Sequence, residues 1–142
     1  VTRAAVRAQF IEALRTKGRT IPMFGLAMKG TDSYLTLALK PSHRPRSDAS
    51  PRAKLDVSLL QQLVVTTVCR TQQEQEAILY TKDDYEALDW VADGTGTAAL
   101  LLNPTKVSQV QAVATAGERM PHKSTYFFPK PLTGLVINVM EG

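Results

Sequence analysis

The sequence predicts an α+β domain. The expected architecture is an N-terminal β-hairpin and a βαβαβ-like second half, with helices packed mainly on one face of a mixed sheet. Three observations carry this. Apolar residues recur at helical spacing in four stretches, the period changes to two across residues 23–39, and a continuous apolar run, Ala98-Ala99-Leu100-Leu101-Leu102, stands between two helical stretches. At 142 residues and 44% hydrophobic content the chain is one domain by size, 1–142, able to bury roughly two thirds of its unfolded surface.

Thr2 is the natural N-cap of the first helix, in which Val6, Phe10 and Leu14 recur every four residues, Ile11 widens the stripe and Gly18 stops the run. Its polar side carries Arg3, Arg7, Glu12 and Arg15. From Met23 the pattern alternates: 23–28 and 34–39 flank Lys29-Gly30-Thr31-Asp32-Ser33, a turn-forming cluster, which is the pattern of a hairpin. Pro22 precedes the first strand and Pro41 ends the second, where a ladder donor would otherwise be needed. Residues 41–54 hold three prolines, five basic side chains and no large apolar one, so they are expected to form a mobile loop.

Asp56 can cap the next helix, whose apolar positions Val57, Leu59, Leu60, Leu63, Val64 and Val68 cover much of its circumference, as expected of a central buried helix. Cys69 at its end is read as a small buried hydrophobe, since no basic cluster stands near it to activate a thiolate. After the polar segment 71–76, Ala77-Ile78-Leu79-Tyr80 has the composition of a short strand. Thr81 then caps a helix over 83–92, with Tyr85, Leu88 and Val91 on one face and acids crowding the first turn, where the helix dipole favours them. Those acids lack the alternating spacing and glycine of a calcium loop, and no metal is expected. Trp90 is read as a sheet-packing or partner-contact residue. Strand 98–102 follows, then a helix opened by Pro104 with Val107, Val110, Val113 and Ala114 inward, ended by Gly117. Strand–helix–strand order implies right-handed crossovers and neighbouring parallel strands. Residues 124–128 and 135–139 complete the expected sheet.

Composition narrows function. A single cysteine and two distant histidines, His43 and His122, leave no disulfide and a poor metal set; no cofactor is implied. Without an apolar run of about eighteen residues or a signal-like start, the expectation is a cytoplasmic protein with no membrane segment. Residues 1–54 carry eleven Lys or Arg against three acids, a net +8, and residues 55–142 six against ten, a net −4. The basic charges are scattered over a helix, a hairpin and a loop without interleaved aromatics, which disfavours nucleic acid as a partner.

Residues 120–134 are the densest in chemistry: two lysines, three aromatics, three prolines and several hydroxyls. The spacing from Gly117 to Lys123-Ser124 matches a phosphate loop, but the order is helix then strand, and Pro121 removes an amide, so a true phosphate loop is excluded. The same residues can bind an anion through side chains. Lys123 and Lys130 supply charge, Ser124 and Thr125 hydroxyls, Thr133 and Gly134 a turn amide, and His122 a second polar group beside Ser124. Tyr126, Phe127 and Phe128 are expected to pack in the core or on the sheet. No catalytic residue is identified, because Ser124 and His122 lack a third member.

The run Glu118-Arg119-Met120-Pro121-His122-Lys123-Ser124-Thr125-Tyr126-Phe127-Phe128-Pro129-Lys130, with Thr133-Gly134-Leu135, closely resembles the C-terminal signature of the Domain of Unknown Function 1015 family. Leu55-Asp56-Val57-Ser58-Leu59-Leu60 and Leu101-Leu102-Asn103-Pro104-Thr105 resemble its earlier blocks in the same order. Gln61 stands where many members have histidine, and His122 where glutamine is common. The resemblance implies the C-terminal part of a longer bacterial protein, whose N-terminal half resembles ParB-like nucleotide-binding and serine kinase proteins. Three functions are therefore expected in order: a ligand-binding or accessory domain taking an anionic or phosphate-bearing small molecule together with that N-terminal domain; part of a small-molecule phosphotransferase; and an interaction module that forms a homodimer.

Overall fold

The computed structural model describes residues 2–126. Helix α1 (Arg3–Lys17) starts where expected, with the Thr2 hydroxyl accepting the Ala5 N–H at 3.3 Å. Phe10, Ile11 and Leu14 are buried, while Val6 remains partly exposed, so the inward stripe begins one turn later than the sequence suggests. Strands β1 (Met23–Met28) and β2 (Tyr34–Ala38) form the predicted antiparallel hairpin, with Met23 opposite Ala38 and Ala27 opposite Tyr34. Gly30, at φ 80°, supplies the left-handed residue of the turn.

Strand β3 (Ala98–Leu102) lies on the other side of β1, giving the order β2-β1-β3. The α+β class is thus realised, but the described strands are all antiparallel: Phe24 faces Leu102 and Met28 faces Ala98. Among the described residues the expected parallel neighbours are absent, because 77–80 is not a strand. Upstream, Thr71 and Glu74 form a capping box that turns the polar segment into a short helix, α4 (Gln72–Glu76), and residues 78–80 run on without a ladder partner. With no strand before it, α5 (Asp84–Asp93) is not a crossover, and β3 is free to return antiparallel.

Alternation along the strands sorts side chains to two faces. Met23, Ala27, Ala99 and Leu101 meet Phe10, Ile11 and Leu14 of α1 and Leu88 and Val91 of α5. Phe24, Leu37, Leu100 and Leu102 point the other way, onto Leu59 and Leu60. Helices therefore cover both faces rather than mainly one. The second cover is a helical rod over residues 56–68: α2 (Asp56–Leu60), a π-helical segment (Gln61–Val65) and a last turn, α3 (Thr66–Val68). It is not the central buried helix its composition predicts. Leu59 and Leu60 are buried, Leu63, Val64 and Val65 half-buried, and Val68 is 68% exposed. Contact with the sheet-side cluster runs from Leu59 to Val65 and loosens along the rod, leaving Val68 at the far end in solvent.

The oppositely charged halves of the sequence face one another. Arg7 donates to Asp89 at 2.5 Å, to the Tyr34 hydroxyl at 3.1 Å and to the Leu88 carbonyl, and Arg15 pairs with Asp84 at 2.8 Å. Asp83, not Thr81, is the N-cap of α5, accepting the Tyr85 and Glu86 amides; the Thr81 hydroxyl accepts the Asp83 amide and donates to Glu86. Gly94 ends α5 at φ 88°, and a Cβ there would stand 3.0 Å from the Lys29 ammonium. Gly94→Ala is expected to destabilise the chain by about 1 kcal/mol, read as a lower urea midpoint at unchanged slope, because the left-handed cap strains any residue with a Cβ. An unchanged midpoint would contradict that role.

Residues 41–54 are irregular but internally bonded, with single 3-10 turns at Pro41–His43 and Arg52–Lys54 and Lys54 Nζ on the Ser47 carbonyl at 2.6 Å. Pro104 lies outside the last helix, α6 (Val107–Thr115), which opens at Lys106; Val113 faces inward, Val110 is half-buried, and Val107 and Ala114 are exposed. Gly117, at φ 69°, closes α6, with the Glu118 amide reaching back to the Val113 carbonyl. The expected strand 135–139 lies outside the described residues, as do Phe127 and Phe128.

Glu118 then ties the two regions together. Its carboxylate accepts the Arg52 amide at 3.0 Å, and this bond, with Ser50 and the Arg52 charge, holds its pKa below the usual glutamate range. A depressed folded pKa means that the contact contributes fully above the unfolded glutamate value and is lost as pH falls through the folded one. The Arg52 amide resonance is therefore expected to titrate on acidification, below the ordinary glutamate range, and Glu118→Gln to abolish that titration. An Arg52 amide indifferent to Glu118→Gln would refute the contact.

Candidate functional site

The chain leaves α6 through an irregular segment that contains no helix up to Tyr126, so the phosphate-loop spacing at Gly117–Ser124 has no helix N-terminus behind it here. Instead, residues 121–124 close a turn. The Ser124 hydroxyl donates to the Pro121 carbonyl at 2.6 Å, and Thr105 Oγ1 donates to the Ser124 carbonyl at 3.0 Å. Thr105 lies three residues after the end of β3, and Asn103 of the same segment donates to the Leu14 carbonyl at 3.2 Å. The turn is thereby fastened to the sheet and to α1.

Lys123 sits inside this turn at φ 55°. A left-handed lysine is uncommon and persists where surrounding bonds impose it. Its consequence is directional: the Lys123 ammonium lies 4.5 Å from the centroid of the Tyr80 ring. The reciprocal pair stands beside it, the Lys82 ammonium 4.2 Å from the Tyr126 ring centroid and 3.0 Å from its hydroxyl. Two lysines and two tyrosines from segments more than forty residues apart in sequence are thus laced together. Tyr80 and Tyr126 are exposed, at 53% and 61%. Among the described residues neither ammonium has a carboxylate partner within ion-pair distance.

The predicted site residues divide accordingly. Lys123 reaches the cluster. Ser124 shapes the turn, its proton already directed to Pro121. His122 and Thr125 are exposed beside it. Lys130, Thr133 and Gly134 lie outside the described residues. Sequence reasoning missed Tyr80 and Lys82, assigned to a strand and a helix approach, and took Tyr126 as a packing residue when it is open to solvent. Tyr80-x-Lys82 and Lys123-x-x-Tyr126 carry the same pair of residue types in opposite order, which is the signal that could have joined them.

Asp56 is half-buried at the start of α2. Burial raises its carboxyl pKa, and the charge of Lys106 opposes that rise. No helix among the described residues is long and apolar enough to cross a membrane. No protein-family model, curated protein or solved structure matches the chain.

Proposed function

We propose that the chain is a ligand-binding or accessory domain whose Lys82–Tyr126 and Lys123–Tyr80 pairs receive an anionic, phosphate-bearing small molecule. The observation that carries this is the convergence of two exposed ammonium groups from distant segments with no carboxylate within ion-pair distance among the described residues. Structural lysines on a solvated face do not need such a lacing; a site for an anion does. The Tyr126 hydroxyl accepts from Lys82, which leaves its own proton to donate outward, so the cluster offers two cations and a phenol donor to one phosphate. The exposed aromatic edges suit a planar or apolar body attached to it.

The resemblance of residues 118–135 to the family signature supports extending the site with groups from the N-terminal half of longer relatives, and a phosphotransferase would use the cluster as its phosphate clamp. Thermal unfolding of the full chain with inorganic phosphate, phosphoserine or ATP tests the binding reading. A rise in melting temperature that grows with ligand concentration and disappears in Lys123→Ala is expected, since ligand bound only by the folded state stabilises it by mass action. Curves that superimpose for all three ligands would refute the proposal.

A further inference from the structure

The basic charge of the N-terminal half is not uniformly absorbed. Arg7 and Arg15 of α1 are paired with Asp89 and Asp84, whereas His43, Arg44 and Arg46 on the 41–54 loop are exposed, and Asp48, the carboxylate that meets them among the described residues, holds Arg46 in a solvent-exposed pair at 3.2 Å. Exposed pairs of this kind contribute little and exchange readily for a better anion. These three side chains form one wall of a cleft of about 500 Å³ between the loop and the helical rod 56–68. The buried Leu59 supplies its apolar floor, Asp48 and the exposed Ala53 stand on its rim, and Gln62 faces it from the rod.

Gln62 belongs to the π-helical segment Gln61–Val65. A π segment inserts an extra residue per turn, re-aims the side chains at its start, and recurs at functional sites. Here it is held by Thr66, whose hydroxyl reaches the Gln61 and Gln62 carbonyls at 2.6 and 2.9 Å. The loop wall is fixed as well: Lys54 Nζ bonds the Ser47 carbonyl, and the Ala53 amide bonds Ser50 Oγ at 3.3 Å. An open cleft, exposed cations on one wall, a glutamine amide from the π segment and an apolar floor therefore meet at one place.

We infer that the cleft between the 41–54 loop and the π-helical segment is a second binding site, for a phosphomonoester with a small apolar body. Guanidinium groups match phosphate oxygens in a two-pronged geometry, and Arg46 exchanges Asp48 for the ligand. Ala53 and Leu59 meet the organic group, and the Gln62 amide orients it. The volume is in the range of small-molecule sites.

The test is a titration of the full chain with phenyl phosphate and, separately, inorganic phosphate at constant ionic strength, following arginine Nε–H and glutamine amide resonances. Saturable shifts at Arg44, Arg46 and Gln62 are expected, with phenyl phosphate binding several-fold more tightly than phosphate. Arg44→Gln with Arg46→Gln should weaken binding about tenfold or more, the loss expected for charge-assisted bonds. Ala53→Glu, at an exposed position on the rim, should abolish it by repulsion, and Lys82→Ala with Lys123→Ala should leave it unchanged. Shifts that grow linearly without saturation, or saturable shifts indifferent to both cleft variants, would overturn the site. Equal affinity for the two ligands would overturn the phosphomonoester class.

Discussion

Gly25→Val is expected to lower the stability of the chain by about 2–3 kcal/mol, the upper part of the range for overpacking a closed core. Gly25 is the central residue of the central strand on the α1 side, and the helix comes down directly onto it. A Cβ at this position would stand 2.7 Å from Phe10 Cζ, 3.1 Å from Leu101 Cβ and 3.2 Å from Leu14 Cδ2. None of these can retreat easily. Phe10 is stacked on Tyr34 with ring centroids 5.0 Å apart, and Phe10, Leu14 and Leu101 are all buried. Valine adds two further methyl groups to the clash, so the effect should exceed that of Gly25→Ala, which has the same sign. Urea unfolding followed by Trp90 fluorescence measures both, and a Gly25→Val midpoint equal to that of the parent would show that α1 does not pack as described.

Lys82→Ala combined with Lys123→Ala is expected to weaken binding of ATP or phosphoserine by about 10- to 100-fold, because each substitution removes a charge-assisted bond to phosphate worth about 1.5–3 kcal/mol before screening by solvent. Stability should change far less. Each ammonium rests on an exposed tyrosine face, a contact worth about 0.5–1 kcal/mol at such positions. Tyr126→Phe should fall between: it keeps the ring beneath Lys82 and loses the hydroxyl that Lys82 meets at 3.0 Å. The contrast between a large loss of affinity and a small loss of stability separates a binding site from a surface brace.

Local signals in the chain carried the elements that local chemistry determines. Thr2 caps α1, the alternation around Gly30 gives the hairpin its register, and Ala98–Leu102 is a strand. What failed was pairing and burial, which depend on residues far apart. Residues 77–80 have strand composition, yet the Thr71–Glu74 capping box commits the preceding residues to a helix, and among the described residues no strand pairs with 78–80, while β3 pairs antiparallel with β1. The rod 56–68 is apolar nearly all round, but the sheet offers it one face only, and its second half stays partly open. The site was half legible for the same reason. Lys123 stood out by local density, whereas its partners Tyr80 and Lys82 became visible only once the chain had folded back on itself.

In the proposed anion site the two lysine–tyrosine pairs act together on one ligand. Calorimetric titration of ATP into the full chain and into Lys82→Ala with Lys123→Ala, each at low and high salt, tests it most directly. Saturable binding by the parent that weakens with salt is expected, and in the double variant both a lower affinity and a shallower salt dependence, since fewer cations meet the phosphates. Binding of equal affinity and equal salt dependence in the two proteins would contradict it.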